Sequence, residues 1–159
     1  MGKGKSFIVI GHERWGKSRT LIKLRGGNWR APRKITIKGQ NIFIRRMSND
    51  DIPSRQIKPE SYLKFVDKLD IKRKPLMILT LCPNFKDPNR CTEYILKKMY
   101  EKYELFFWII KHKYGPNNNV VEPDDIDRLM KYGVGDIYSG KDEDDVRAKI
   151  FKKFIEKYI

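Results

Sequence analysis

An apolar run, Phe7-Ile8-Val9-Ile10, passes directly into Gly11-His12-Glu13-Arg14-Trp15-Gly16-Lys17-Ser18 and then into a helical pattern. A strand, G-x-x-x-x-G-K-S and a helix, in that order, constrain the chain more than any other feature. Glycines let the backbone curve around an anion, successive N–H groups line the hollow, and the following helix N-terminus adds positive potential. The spacing predicts a phosphate-binding loop whose nucleotide contacts run from Gly11, His12, Glu13, Arg14, Trp15 and Gly16 through Lys17, Ser18 and Arg19. Lys17 is expected to reach the β- and γ-phosphates as a point charge, and the Ser18 hydroxyl to ligate Mg²⁺. The plainer reading is a glycine-rich turn with no ligand; the strand before it and the helix after it favour the phosphate site.

The 159 residues are enough for one domain spanning 1–159, with on the order of 70% of the unfolded surface buried. The longest unbroken apolar run, Leu105 to Ile110, is far too short to cross a bilayer, so no membrane span is expected. The start of the chain has no secretory pattern, and Met1-Gly2-x-x-x-Ser6 is too short a match to argue for myristoylation. Cys82 and Cys91 show no C-x-x-C spacing, and with His12 and His112 they form no recognisable zinc pattern. They read as small packing residues in a reduced compartment, and the expected location is cytoplasmic.

The net charge of +15 is unevenly distributed. Residues 1–60 hold 8 Arg and 7 Lys against 4 acids, a net +11, leaving +4 for the remainder. Such a field raises the local concentration of a nucleotide or another polyanion, so a nucleic-acid or protein partner for this half of the chain enters the reading. The bland alternative is a lysine-rich, ion-paired surface.

After the loop, Leu21, Ile22 and Leu24 continue a short helix that Gly26-Gly27 ends, and a basic stretch, Asn28 to Lys34, follows. Lys34 to Lys38 and Ile42 to Ile44 predict a hairpin around Gly39-Gln40-Asn41, its second strand continuing through Ser48 to Asn49-Asp50-Asp51. Acids just past the carboxyl end of a strand are placed to hold Mg²⁺ through water, so Asp50 and Asp51 join Ser18 as metal candidates. Tyr62, Phe65, Val66 and Leu69 mark a helix, and Pro75 to Leu81 a central parallel strand. Cys91 to Tyr103 reads as helix, Leu105 to Ile110 as buried strand, and Pro116 to Asn119 as loop. A short helix from Glu122, a strand at 134–138 and an amphipathic closing helix with acids at its start complete the chain.

This is an α/β pattern, expected to form a three-layer fold with a mostly parallel sheet and one antiparallel strand from the hairpin. In Gly11 to Ser18 the chain resembles the P-loop NTPase superfamily, and in element order and length it is similar to the small Ras-like GTPases. The resemblance implies switch I at residues 25–34, switch II from Asn49-Asp50-Asp51, and a base loop at Ser139-Gly140-Lys141. The chain departs from that pattern at two places. Asp50 is followed by Asp51-Ile52-Pro53, with no glycine for a D-x-x-G, and Lys111-His112-Lys113-Tyr114 supplies no N-K-x-D carboxylate for guanine. ATP and GTP both stay open.

The expected activity is Mg²⁺-dependent hydrolysis of ATP or GTP, with Lys17 and an arginine, Arg14 or Arg33 (Arg30 being the neighbouring alternative), stabilising charge on the γ-phosphate. Gln40 reads as too distant to position water. The runner-up is a kinase using Arg45, Arg46 and Arg55, or Lys86 and Arg90, to hold an acceptor. The third reading is a nucleotide-gated nucleic-acid-binding protein with Trp15, Trp29 and Phe43 as stacking aromatics.

Overall fold

The computed structural model describes residues 3–12, 15–26, 33–46, 48, 59–69, 75–83, 85, 92–113 and 119–159. Strand β1 (Gly4–Ile10) leads through the 11–16 segment into helix α1 (Lys17–Arg25), followed by β2 (Arg33–Ile37), β3 (Gln40–Ile44), α2 (Pro59–Leu69) and β4 (Leu76–Leu81). Then come α3 (Thr92–Lys102), β5 (Tyr103–Ile110), the two-residue strands β6 (His112–Lys113) and β7 (Asn119–Val120), α4 (Pro123–Met130), β8 (Gly133–Tyr138) and α5 (Asp144–Tyr158). The described chain is thus α/β, with the alternation of strand and helix that was expected.

Six strands form one sheet in the order β2-β3-β4-β1-β5-β8. Every neighbouring pair is parallel except β2 and β3. β1 lies in the interior, with Phe7 opposite Ile78 of β4 on one side and Phe106 of β5 on the other. Phe7 to Ile10 and Phe107 to Ile110 are all buried. A strand buried on both sides reads as a continuous apolar run, which is why alternation is missing from both sequences.

Helices cover both faces. Phe7 meets Phe154 of α5 edge-on at 6.4 Å, and Trp108 packs against Phe151 of α5 with ring centroids 5.2 Å apart and planes tilted by 36°. Residues in register on one face thus pack against α5, which also lies against α1. The intervening residues of the same strands, Ile8, Ile10, Phe107 and Ile109, are equally buried and point the other way. α2 and α3 pack together on that side, and the Tyr62 hydroxyl of α2 donates to the Thr80 carbonyl of β4 at 2.8 Å.

The hairpin differs in detail from its expectation. Its turn is Lys38-Gly39, with φ of 52° and 74°, so Gln40 and Asn41 belong to β3. Positive φ at both central residues matches the right-handed twist of the flanking strands, which favours this two-residue connection. β3 also stops at Ile44 and does not run on through Ser48. The Arg45 N–H still donates to the Ile78 carbonyl, while its guanidinium turns onto the Phe65 ring of α2, 4.1 Å from the centroid. Burial there lowers the Arg45 pKa from its usual value. The short β6–β7 pair joins His112 to Val120 and Lys113 to Asn119, so Asn119, expected to end a loop, opens a strand.

The contact between α5 and the sheet makes a quantitative expectation. Phe151 is fully buried against Trp108, so Phe151→Ala should cost about 3–5 kcal/mol in urea unfolding. That is a large share of a typical domain's stability of about 5–15 kcal/mol. A loss below about 1 kcal/mol would show that α5 is not part of the cooperative core.

Candidate functional site

The sheet order sets where a site can form. The chain leaves β1 toward the β2–β3 side, returns through β4, and then crosses β1 to reach β5 and β8. The connection direction reverses at β1, and in open α/β sheets ligands bind outside the carboxyl ends of the strands at such a point. Gly11 and His12 lie there, flanked by Cys82-Pro83 after β4 and by Lys111-His112 after β5.

Local hydrogen bonds shape this segment. The Gly11 N–H donates to the Leu81 carbonyl at 3.2 Å, prolonging the β1–β4 ladder by one residue. The Trp15 N–H donates to the His12 carbonyl at 3.2 Å. Gly16 then adopts φ 86° and ψ 17° at the start of α1, a left-handed conformation that costs other residues about 1–2 kcal/mol. Its carbonyl accepts from the Thr20 N–H at 3.0 Å and from the Thr20 hydroxyl at 2.9 Å. A left-handed residue followed by helical ones turns successive N–H groups into one concavity, a geometry suited to an anion.

Lys17 is only 7% exposed, and its ammonium donates to the Gly11 carbonyl at 2.5 Å and the His12 carbonyl at 3.0 Å. A buried cation needs such partners. The charge is therefore stored inside the loop and not on the surface. Ser18, next on the helix, is half-buried. The His12 ring meets the Trp15 ring edge-on at 5.0 Å, and its Nδ1 lies 3.6 Å from the Cys82 sulfur. The Thr92 hydroxyl at the start of α3 donates to the Cys82 carbonyl at 2.8 Å, tying that helix to the same rim.

Among the residues expected here, Gly11, His12, Trp15, Gly16, Lys17 and Ser18 come together at the end of β1. Arg19 is exposed and pairs with Asp144 of α5 at 2.8 Å. Arg33 opens β2 opposite Ile44, on the same rim as the loop. It is three strands from β1, roughly 14 Å by ordinary strand spacing. Trp15 and Phe43 are buried, 6% and 7% exposed, so neither offers a ring face for stacking bases. Glu13, Arg14, Trp29, Arg30, Asp50, Asp51, Arg55, Lys86, Arg90 and Cys91 lie outside the described residues. Among the described residues, no three His, Cys, Asp or Glu side chains gather in a way that would hold a metal, and no helix is long and apolar enough to cross a membrane.

One contributor was missed from the sequence. Arg147 of α5 donates from Nη2 to the Trp15 carbonyl at 2.9 Å. Its guanidinium carbon lies 5.9 Å from the Tyr138 ring centroid. The Tyr138 hydroxyl donates to Asp142 at 2.7 Å, fixing the turn from β8 into α5. The only available signal was that Arg147 is the one arginine in a helix whose other cations are lysines.

Protein-family models, curated proteins and solved structures were compared with the chain, and none matches it.

Two expectations arise from this geometry. Gly16→Ala forces a left-handed alanine whose Cβ would stand 2.9 Å from Arg147 Nη1. Thermal unfolding should show a loss of about 1–2 kcal/mol, and an unchanged midpoint would contradict the left-handed assignment. The second concerns alkaline pH. Burial, then the hydrogen bond to Asp142, pushes the Tyr138 phenol from 10.0 up to about 12. Burial and Glu93, which accepts the Tyr132 hydroxyl, do the same for Tyr132. These folded-state values exceed the unfolded one, so both phenols favour the fold fully below pH 10, and that contribution is lost as pH rises through about 12. Ultraviolet titration should show late-ionising tyrosines whose number falls by one in Tyr138→Phe; ionisation of every tyrosine near pH 10 would contradict it.

Proposed function

We propose that this chain binds a nucleoside triphosphate with Mg²⁺ through residues 11–18 and hydrolyses its β–γ bond, the nucleotide being ATP or GTP. One observation carries the reading: the Lys17 ammonium is held at the carbonyls of Gly11 and His12, where the left-handed Gly16 opens α1. This agrees with the G-x-x-x-x-G-K-S spacing and with the +11 concentrated in residues 1–60.

The N–H groups at the start of α1 would hold the phosphate tail, and the helix dipole would favour its charge. Lys17 already stands beside them, so side-chain rotation is enough to move its ammonium from two carbonyls to a phosphate oxygen. A half-buried hydroxyl suits Mg²⁺, which prefers hard oxygen donors and takes only one or two protein ligands when phosphates supply the rest. Ser18 would be that ligand, with Asp50 or Asp51 as the water-mediated second. Held by these residues, Mg²⁺ would supply positive charge to offset that of the phosphates. Phosphoryl transfer of this kind needs positioning and charge stabilisation more than covalent chemistry from the protein.

Lys17→Ala should abolish hydrolysis of labelled ATP or GTP, and Ser18→Ala should raise the Mg²⁺ concentration needed by on the order of tenfold. Label released solely as free phosphate supports hydrolysis. Label on an added acceptor would overturn hydrolysis in favour of a kinase, and activity retained by Lys17→Ala would remove the loop from the account.

A further inference from the structure

Arg147 reaches the 11–18 segment from the opposite end of the chain, and its contacts bear on the direction of a single backbone group. Its Nη2 donates to the Trp15 carbonyl at 2.9 Å. A Cβ built on Gly16 would stand 2.9, 3.1 and 3.3 Å from Nη1, Nη2 and Cζ of Arg147, so the guanidinium occupies the space a side chain at 16 would need. Every described peptide bond is trans, and in a planar trans peptide the carbonyl and the N–H point to opposite sides. With the Trp15 carbonyl drawn toward α5, the Gly16 N–H is turned away from α5. That N–H has no acceptor among the described residues.

The anchor itself is firm. Asp144 and Asp145 at the start of α5 pair with Arg19 at 2.8 Å and Lys23 at 3.4 Å of α1. Phe151 and Phe154, further along α5, are buried in the core. Among the described residues no carboxylate pairs with Arg147, and its buried Nε has no hydrogen-bond partner. Among the described residues, then, no ion pair cancels the guanidinium charge. A lysine could supply the charge but not the planar fork that serves a carbonyl while packing on a glycine.

We infer that Arg147 is a positioning residue for the proposed phosphate site: it holds the Trp15–Gly16 peptide so that the Gly16 N–H faces the anion, and it adds positive potential from behind. This rests on the reading of 11–18 as a triphosphate site. The two can fail separately.

The test uses the full chain with Arg147→Met and Arg147→Lys, and with Lys149→Met as a control that removes the same charge from an exposed position on α5. Calorimetric titration with Mg·ATP and Mg·GTP should show affinity weakened on the order of tenfold in Arg147→Met, weakened less in Arg147→Lys, and within about twofold of wild type in Lys149→Met. The Gly16 amide resonance of the nucleotide-free protein should shift in both Arg147 variants and stay fixed in the control. If Arg147→Met does not fold, Arg147→Lys carries both readouts. Wild-type affinity in a folded Arg147 variant, or an unmoved Gly16 amide, overturns the inference and leaves the proposed function standing. A wild type that binds neither triphosphate overturns both.

Discussion

At the end of β1 the ammonium of Lys17 donates to the carbonyls of Gly11 and His12. A buried cation without partners would be costly, and these carbonyls remove that cost. The start of α1 carries a left-handed residue at 16, a conformation that glycine adopts without a Cβ penalty. The Arg147 guanidinium fills the space that the missing Gly16 side chain leaves. Local and long-range contacts thus fix one short segment together.

The sheet supplies the platform. β1 has parallel neighbours on both sides, and apolar residues cover both its faces, so its carboxyl end is held on a buried frame. α5 binds this frame to the loop: its aromatic side chains enter the core, its acids pair with α1, and its arginine reaches Trp15. The closing helix is therefore part of the proposed site's support, although it lies farthest from it in sequence.

The elements were largely legible because their signals are local. Continuous apolar runs gave β1, β4 and β5, and four-residue spacing gave α2, α3 and α5. The hairpin was legible, but its turn was displaced, because Gly39 marks a turn without saying whether Lys38 or Gln40 shares the positive φ. Lateral strand order has no local signature: β4, not β3, lies beside β1, so the end of β3 stands two strands, roughly 10 Å, from the loop. Any carboxylate after β3 must reach back across that distance to serve a metal at Ser18. The gathering of Gly11, Gly16, Lys17 and Ser18 at the end of β1 was legible from spacing alone. Arg147 was not, since its contact with Trp15 spans 132 residues and no pattern in one sequence records such a pairing. The burial of Trp15 was equally hidden, because a tryptophan within a polar loop gives no periodicity to read.

The central claim is that residues 11–18 receive the phosphates of a nucleotide. Its most direct test is the change in backbone amide resonances as ATP or GTP is titrated with Mg²⁺ into the wild-type protein. The account predicts the largest shifts at Gly11, Gly16, Lys17 and Ser18 with a triphosphate, and none there with the corresponding nucleoside. Triphosphates that leave these four amides unmoved would contradict it.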